Sequence, residues 1–183
     1  MRTLHILKSQ IFVFLIFLIF SFTISAQGGG WNPELVQDSK KALNEMIVKT
    51  PKLKTFKSKA YGYAVFPKVT KAGIGIGAAA GRGTVFKNGI VVGSASLKQA
   101  SIGLQLGGQQ YSEVIFFENK KSFDNFTNNK LKFGAQASAV AIKEGASIDA
   151  AYNDGVAVFT KTKGGLMYEA SIGGQHFKYK AKK

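Results

Sequence analysis

Residues 84–92 read Thr-Val-Phe-Lys-Asn-Gly-Ile-Val-Val, and this stretch decides the class of fold. Asn88 and Gly89 tolerate the positive φ angles of a two-residue turn, and β-branched or aromatic residues flank them on both sides. Asp154-Gly155 repeats the pattern later in the chain, between strand candidates at 148–152 and 156–159. Two such signals predict hairpins, and therefore antiparallel pairing.

Further strands follow on both sides of these turns. Tyr61–Phe66 is a strand candidate closed by Pro67, and no proline follows Pro67, so later strands can pair without interruption. Residues 113–117 read as another strand. Residues 163–165 read as a third turn, leading into a strand over 166–172.

One amphipathic helix precedes the sheet. Asn32 is a good N-cap, Pro33 suits the first helical position, and Thr50-Pro51 ends the run. Six apolar residues fall on one side: Leu35, Val36, Ala42, Leu43, Met46 and Ile47. This stripe has two interpretations, because such a face either packs on the rest of the domain or lies on a membrane surface.

A second, shorter helix is predicted after the strand at 113–117. Asn119 can cap residues 120–128, and Phe123 and Phe126 then share one face. Residues 52–59 alternate lysine with other residues and read as a solvated linker. Together these patterns predict an α+β fold: an N-terminal amphipathic helix, a strongly curved, largely antiparallel, glycine-rich β-sheet or barrel, and one further short helix.

Glycines alternate with isoleucines in residues 73–77. In a strand this spacing leaves one face without side chains, which permits close approach of another segment or strong bending. Residues 75–80 loosely fit a dinucleotide-binding fingerprint. However, no helix signal follows and the acidic residue expected about 20 positions later is absent. The sequence therefore predicts no nucleotide cofactor.

The sequence contains no recognisable catalytic or metal-binding motif. His176 is the only histidine outside the first 26 residues, no cysteine is present, and we expect His176 to be exposed and idle. The carboxylates after position 112 are scattered without metal-ligand spacing: Glu113, Glu118, Asp124, Glu144, Asp149, Asp154 and Glu169. The sequence predicts a protein that is not an enzyme and holds no metal, although two carboxylates could still meet in space.

The charge pattern points to an anionic partner. No Asp or Glu occurs between Glu45 and Glu113, whereas the same stretch holds nine lysines and Arg82. A surface built from these residues attracts anions before specific contacts form. The candidate binding residues are Lys52, Lys54, Lys57, Lys59, Lys68, Lys71, Arg82 and Lys87.

The beginning of the chain predicts export. Arg2 and Lys8 precede an apolar run over 11–20, and small residues lead to a cut after Ala26. The run is shorter than the roughly 18 to 20 residues needed to span a bilayer. We therefore expect a signal peptide over 1–26, a single domain over 27–183, and a periplasmic or secreted product. Export argues against a specific nucleic-acid target and leaves anionic lipid, lipopolysaccharide or acidic polysaccharide.

Three blocks in this order resemble the SYLF domain: Ala60–Gly77, Ala100–Gln109 and Glu113–Phe117. The resemblance covers roughly residues 34–180. SYLF domains bind lipid, and fungal members bind actin. In eukaryotic members the resemblance implies phosphoinositide binding through an amphipathic N-terminal segment, here 33–49, and the basic residues that follow it.

Exported bacterial members resemble this chain more closely. Residues 86–90 replace a longer acidic or tryptophan-bearing hairpin of the eukaryotic pattern, and both this difference and export argue against actin as a partner. The sequence thus predicts a noncatalytic, exported protein that binds anionic lipid or a membrane surface. The alternative is an envelope structural or interaction protein that binds acidic polysaccharide or a protein partner. The lipid and the oligomeric state stay open.

Overall fold

The computed structural model describes residues 32–74, 76–102, 107–131, 152–162, 165–168 and 174–182. The helices in these ranges are α1 (Pro33–Lys49), α2 (Lys52–Lys59) and α3 (Lys120–Thr127). The strands are β1 (Gly62–Ile74), β2 (Ile76–Lys87), β3 (Ile90–Ile102), β4 (Gly107–Phe117), β5 (Val156–Thr162), β6 (Gly165–Tyr168) and β7 (Gln175–Ala181). The predicted signal peptide, Gly75, turn residues 163–164 and the strand parts 148–151 and 169–172 lie outside the described residues.

The strands form one antiparallel sheet. Its order is β6-β5-β4-β1-β2-β3-β7, with every neighbouring pair antiparallel. Among the described residues the sheet is not closed, so β6 and β7 are its edges. The predicted α+β class with a curved antiparallel sheet is confirmed. Of the two forms that the sequence allowed, a sheet or a barrel, the structure shows the open sheet.

Alternating strand residues build two cores, one on each face of the sheet. We call the face under α1 and α2 the outer face and the face that packs on α3 the inner face. Buried outer-face side chains include Tyr63, Val65, Phe86, Val114, Phe116 and Phe159. Buried inner-face side chains include Ala64, Phe66, Val85, Ile115, Phe117 and Phe177.

The sheet curls strongly around α3. In the order of the sheet, four strand-to-strand steps separate β4 from β7, which corresponds to about 19 Å in a flat sheet. Nevertheless Gln175 Nε2 on β7 donates a hydrogen bond to Glu113 Oε2 on β4 at 3.0 Å. The Phe177 ring lies 5.7 Å from the Phe66 ring and 5.4 Å from the Phe126 ring, centroid to centroid. The inner faces of β4 and β7 therefore face each other.

Helix α1 packs on the outer face. The Asn32 side chain caps it by accepting hydrogen bonds from two backbone N–H groups of its first turn. Ser39 Oγ lies 3.2 Å from the Val65 carbonyl oxygen and 3.0 Å from Thr84 Oγ1, and Leu43 is buried beside it. Of the two interpretations of the apolar stripe, the structure shows packing on the sheet. No helix in the described part of the chain is both long and apolar enough to cross a membrane.

Two local predictions are wrong. The segment predicted as a linker is helix α2, because Leu53 and Phe56 are three residues apart and both are fully buried beneath it. Strand β1 does not end at Pro67 but continues to Ile74. Its register shifts between Val65 and Lys68, and such a bulge accommodates a proline that has no N–H to donate.

The glycine ladder was expected within one strand, and this prediction is also wrong. Strand β1 ends at Ile74, β2 begins at Ile76, and these two residues pair with each other. Gly73 and Gly77 also pair with each other, so the ladder is divided between β1 and β2 and does not lie along one strand.

The turn and cap signals are confirmed. Asn88 and Gly89 have φ angles of 51° and 78°, and Asp154 and Gly155 have 51° and 75°. Asn119 caps α3 through a hydrogen bond from the backbone N–H of the third helical residue.

Candidate functional site

A row of cationic side chains crosses four strands on the outer face. Lys68 on β1 pairs with Arg82 on β2, Arg82 pairs with Ser96 on β3, and Ser96 pairs with Lys178 on β7. Residues paired across neighbouring strands project from the same face, about 4.8 Å apart. The row therefore spans about 14 Å of the sheet surface.

Two more lysines lie beside this row. Lys98 on β3 and Lys180 on β7 are each two positions from a row member on the same strand, so they share its face. His176 pairs with Lys98 and is exposed. We call Lys68, Arg82, Lys98, Lys178 and Lys180 the basic outer face.

The buried neighbours of these residues establish which face they occupy. Leu97 and Phe177 are buried in the inner core and pair with each other, so Lys98 and Lys178, one position away, lie on the opposite face. On β1 the bulge places Val69 in the inner core and Lys68 on the outer face. Helices α1 and α2 cover the outer face only toward the other end of the strands.

Nothing in these strands neutralises the basic outer face. Strands β1, β2, β3 and β7 contain no Asp or Glu. The acid of the neighbouring β4, Glu113, projects inward, where it is buried and accepts the hydrogen bond from Gln175. Within the described ranges none of the five basic side chains belongs to an ion pair. An uncompensated field of this kind attracts anions.

The structure divides the predicted site residues into separate groups. Lys68 and Arg82 lie on the basic outer face. Four others lie on α2: Lys52, Lys54, Lys57 and Lys59. Lys71 pairs with the inner-core residue Ala79 and therefore lies on the inner face. Lys87 lies at the end of β2, with its Nζ 4.9 Å from the centroid of the Tyr61 ring.

Helix α2 carries the second cationic surface. Its apolar side packs on the sheet, where the Phe56 ring centroid lies 5.6 Å from that of Phe116 on β4 and 5.0 Å from that of Phe159 on β5. Three exposed lysines project from the rest of the helix, and we call Lys54, Lys57 and Lys59 the α2 surface. Lys52 is half-buried.

Sequence reasoning missed Lys98, Lys178 and Lys180. One signal was available on β7, where Lys178 and Lys180 alternate with Phe177 and Tyr179 at the period of a half-buried strand. The pairing register of four strands decides that these lysines lie on the same face as Lys68 and Arg82, and local periodicity does not predict this register.

Two comparisons with known proteins found similar sequences. A family profile described as Ysc84, "Las17-binding protein actin regulator", matches residues 98–182. The chain is also 29% identical over 163 residues to "Beta cell expansion factor A" of Aeromonas veronii, with 80% of the chain covered. The match spans 59% of the length of that relative. The resemblance to the SYLF domain is thereby confirmed, and the family is one of lipid-binding or actin-binding regulators.

Proposed function

We propose that this chain, whose residues 98–182 match the Ysc84 (SYLF) family profile, is an exported, noncatalytic protein that binds anionic lipid at a membrane surface. The observation that carries the proposal is the row from Lys68 through Arg82 to Lys178 on an exposed, acid-free sheet face. A closely spaced group of uncompensated cations attracts the headgroups of an anionic leaflet. We therefore assign the main contact to the basic outer face.

The expected attachment is weak and electrostatic. Each Lys or Arg near an anionic bilayer contributes about 1 kcal/mol, so the five residues of the basic outer face give at most about 5 kcal/mol. That sum corresponds to a dissociation constant somewhat below 1 mM. The stripe on α1 cannot add to it without leaving the sheet, since Leu43 and Met46 are buried there.

Export is part of the proposal, and the sequence of residues 1–26 supports it. An exported protein does not meet cytoplasmic actin, so we assign the family's lipid-binding role to this chain. The expected mature product begins at Gln27, and intact-mass measurement of the protein recovered outside the cytoplasm checks it. A product that retains residues 1–26 contradicts the cleavage.

The test of lipid binding is co-sedimentation with vesicles. The protein should bind vesicles containing phosphatidylglycerol or phosphoinositide and not vesicles of phosphatidylcholine alone. About 0.5 M salt should remove most of the binding, because the Debye length falls to roughly 4 Å. Equal binding to neutral vesicles, or binding insensitive to salt, contradicts the proposal. Retention on acidic polysaccharide without vesicle binding would favour an envelope interaction role instead.

A matched pair of variants locates the contact. Arg82→Gln with Lys178→Gln removes two charges from the basic outer face and should weaken vesicle binding at least about threefold. Lys121→Gln with Lys130→Gln removes the same charge from exposed positions on and after α3 and should leave binding unchanged. Equal weakening by both pairs would mean that net charge, and not this surface, drives binding.

A further inference from the structure

The curl of the sheet gives the molecule two opposed walls. Strands β4 and β7 meet through their inner faces, since Glu113 and Gln175 are hydrogen-bonded and Phe177 contacts both Phe66 and Phe126. When the inner faces of two strands of one sheet face each other, their outer faces point in opposite directions. Whatever covers the outside of β4 and β5 therefore points away from the outside of β3 and β7.

Both walls are cationic. Helix α2 covers the outside of β4 and β5 through Phe56, and it presents the α2 surface of Lys54, Lys57 and Lys59 without any acidic residue of its own. The outside of β3 and β7 presents three lysines of the basic outer face, Lys98, Lys178 and Lys180, on strands that also contain no acidic residue.

The region between the two walls differs in charge. Helix α1 lies there, held to β1 and β2 by the contacts of Ser39 with Val65 and Thr84. Its three acids, Glu34, Asp38 and Glu45, offset its three lysines, Lys40, Lys41 and Lys49, so the helix has no net charge. At the end of the strands that α1 covers, a helix without net positive charge thus separates the two walls, whereas Lys68 and Arg82 lie between them at the other end.

We propose that the α2 surface and the lysines of β3 and β7 each bind a different anionic surface, so that one molecule bridges two membranes. The inference rests on the proposed lipid binding and adds bivalency to it. A planar bilayer can touch only one of two opposed walls of a packed domain at a time. The second wall then stays available for another vesicle, and bridging follows without self-association, which the high positive charge of each copy opposes.

The experiment measures binding and clustering on the same samples. Vesicles of phosphatidylglycerol and phosphatidylcholine at low salt are mixed with the protein, binding is read by co-sedimentation, and clustering is read by dynamic light scattering. Three double variants of equal net charge are compared. The first two alter one wall each, as Lys54→Gln with Lys57→Gln and as Lys178→Gln with Lys180→Gln, and the control is Lys121→Gln with Lys130→Gln.

Each wall variant should still bind vesicles through its intact wall, with an apparent affinity within about tenfold of that of the unmodified protein. Each removed lysine lowers the affinity of the altered wall roughly fivefold, and the affinity of the intact wall does not change. Each should lose at least about 90% of the clustering that the control retains, and an equimolar mixture of the two wall variants should not restore it.

Three outcomes separate the possibilities. Unmodified protein that binds vesicles but leaves them dispersed overturns bridging and leaves lipid binding intact. Loss of clustering in only one wall variant overturns the two-wall arrangement. Unmodified protein that does not sediment with anionic vesicles overturns the proposed function together with the inference.

Discussion

Replacement of Leu43 by alanine tests the packing of α1 quantitatively. The Leu43 side chain is 3% exposed within the outer core, where its neighbour Met46 is fully buried. Truncation of a buried leucine costs between about 2 and 5 kcal/mol, depending on how far the site collapses. Ser39 holds the helix to the sheet by hydrogen bonds, which restricts collapse, so we expect a loss of about 3 kcal/mol. For a chain of this size that loss lowers Tm by about 6 to 12 °C.

The assay is urea unfolding followed by circular dichroism, with vesicle binding measured on the folded variant. The control is Val48→Ala on the same helix, where the side chain is 73% exposed and truncation should change stability by less than about 0.5 kcal/mol. Leu43→Ala should bind anionic vesicles as the unmodified protein does. The reasoning is refuted if Leu43→Ala leaves the unfolding midpoint unchanged while vesicle binding is lost, because α1 would then insert into the membrane.

Two further predictions concern single contacts. Gly83→Ala should destabilise the fold by about 1 to 3 kcal/mol in urea unfolding, because an added Cβ would lie 2.5 Å from the Val65 carbonyl oxygen. Unchanged stability would show that β1 and β2 can separate there. The hydrogen bond and charge of Lys161 lower the pKa of Glu45 below 4.5, so NMR titration should find it there and Lys161→Gln should raise it. The stability from this pair is therefore present above pH 4.5 and is lost as the pH falls through the lowered pKa.

Local signals predicted much of the fold. Asn88-Gly89 identified a hairpin because that pair tolerates positive φ, and Asn119 identified the start of α3 because its side chain caps the free N–H groups. Helix α2 was missed because alternating lysines concealed a single apolar pair, Leu53 and Phe56. Their burial depends on rings supplied by distant strands, which no local window contains.

The sequence by itself determined the turns, the caps, the uninterrupted sheet and the absence of acidic residues over more than sixty positions. Only the tertiary structure decided which of the basic residues share a surface. The bulge at Pro67 shifts the alternation of β1, so that Lys68 lies outside and Lys71 inside. Pairing between strands distant in sequence then places Lys178 in line with Arg82. A shift of one residue in any of these pairings moves every side chain of a strand to the other face, and for that reason the site depends on register.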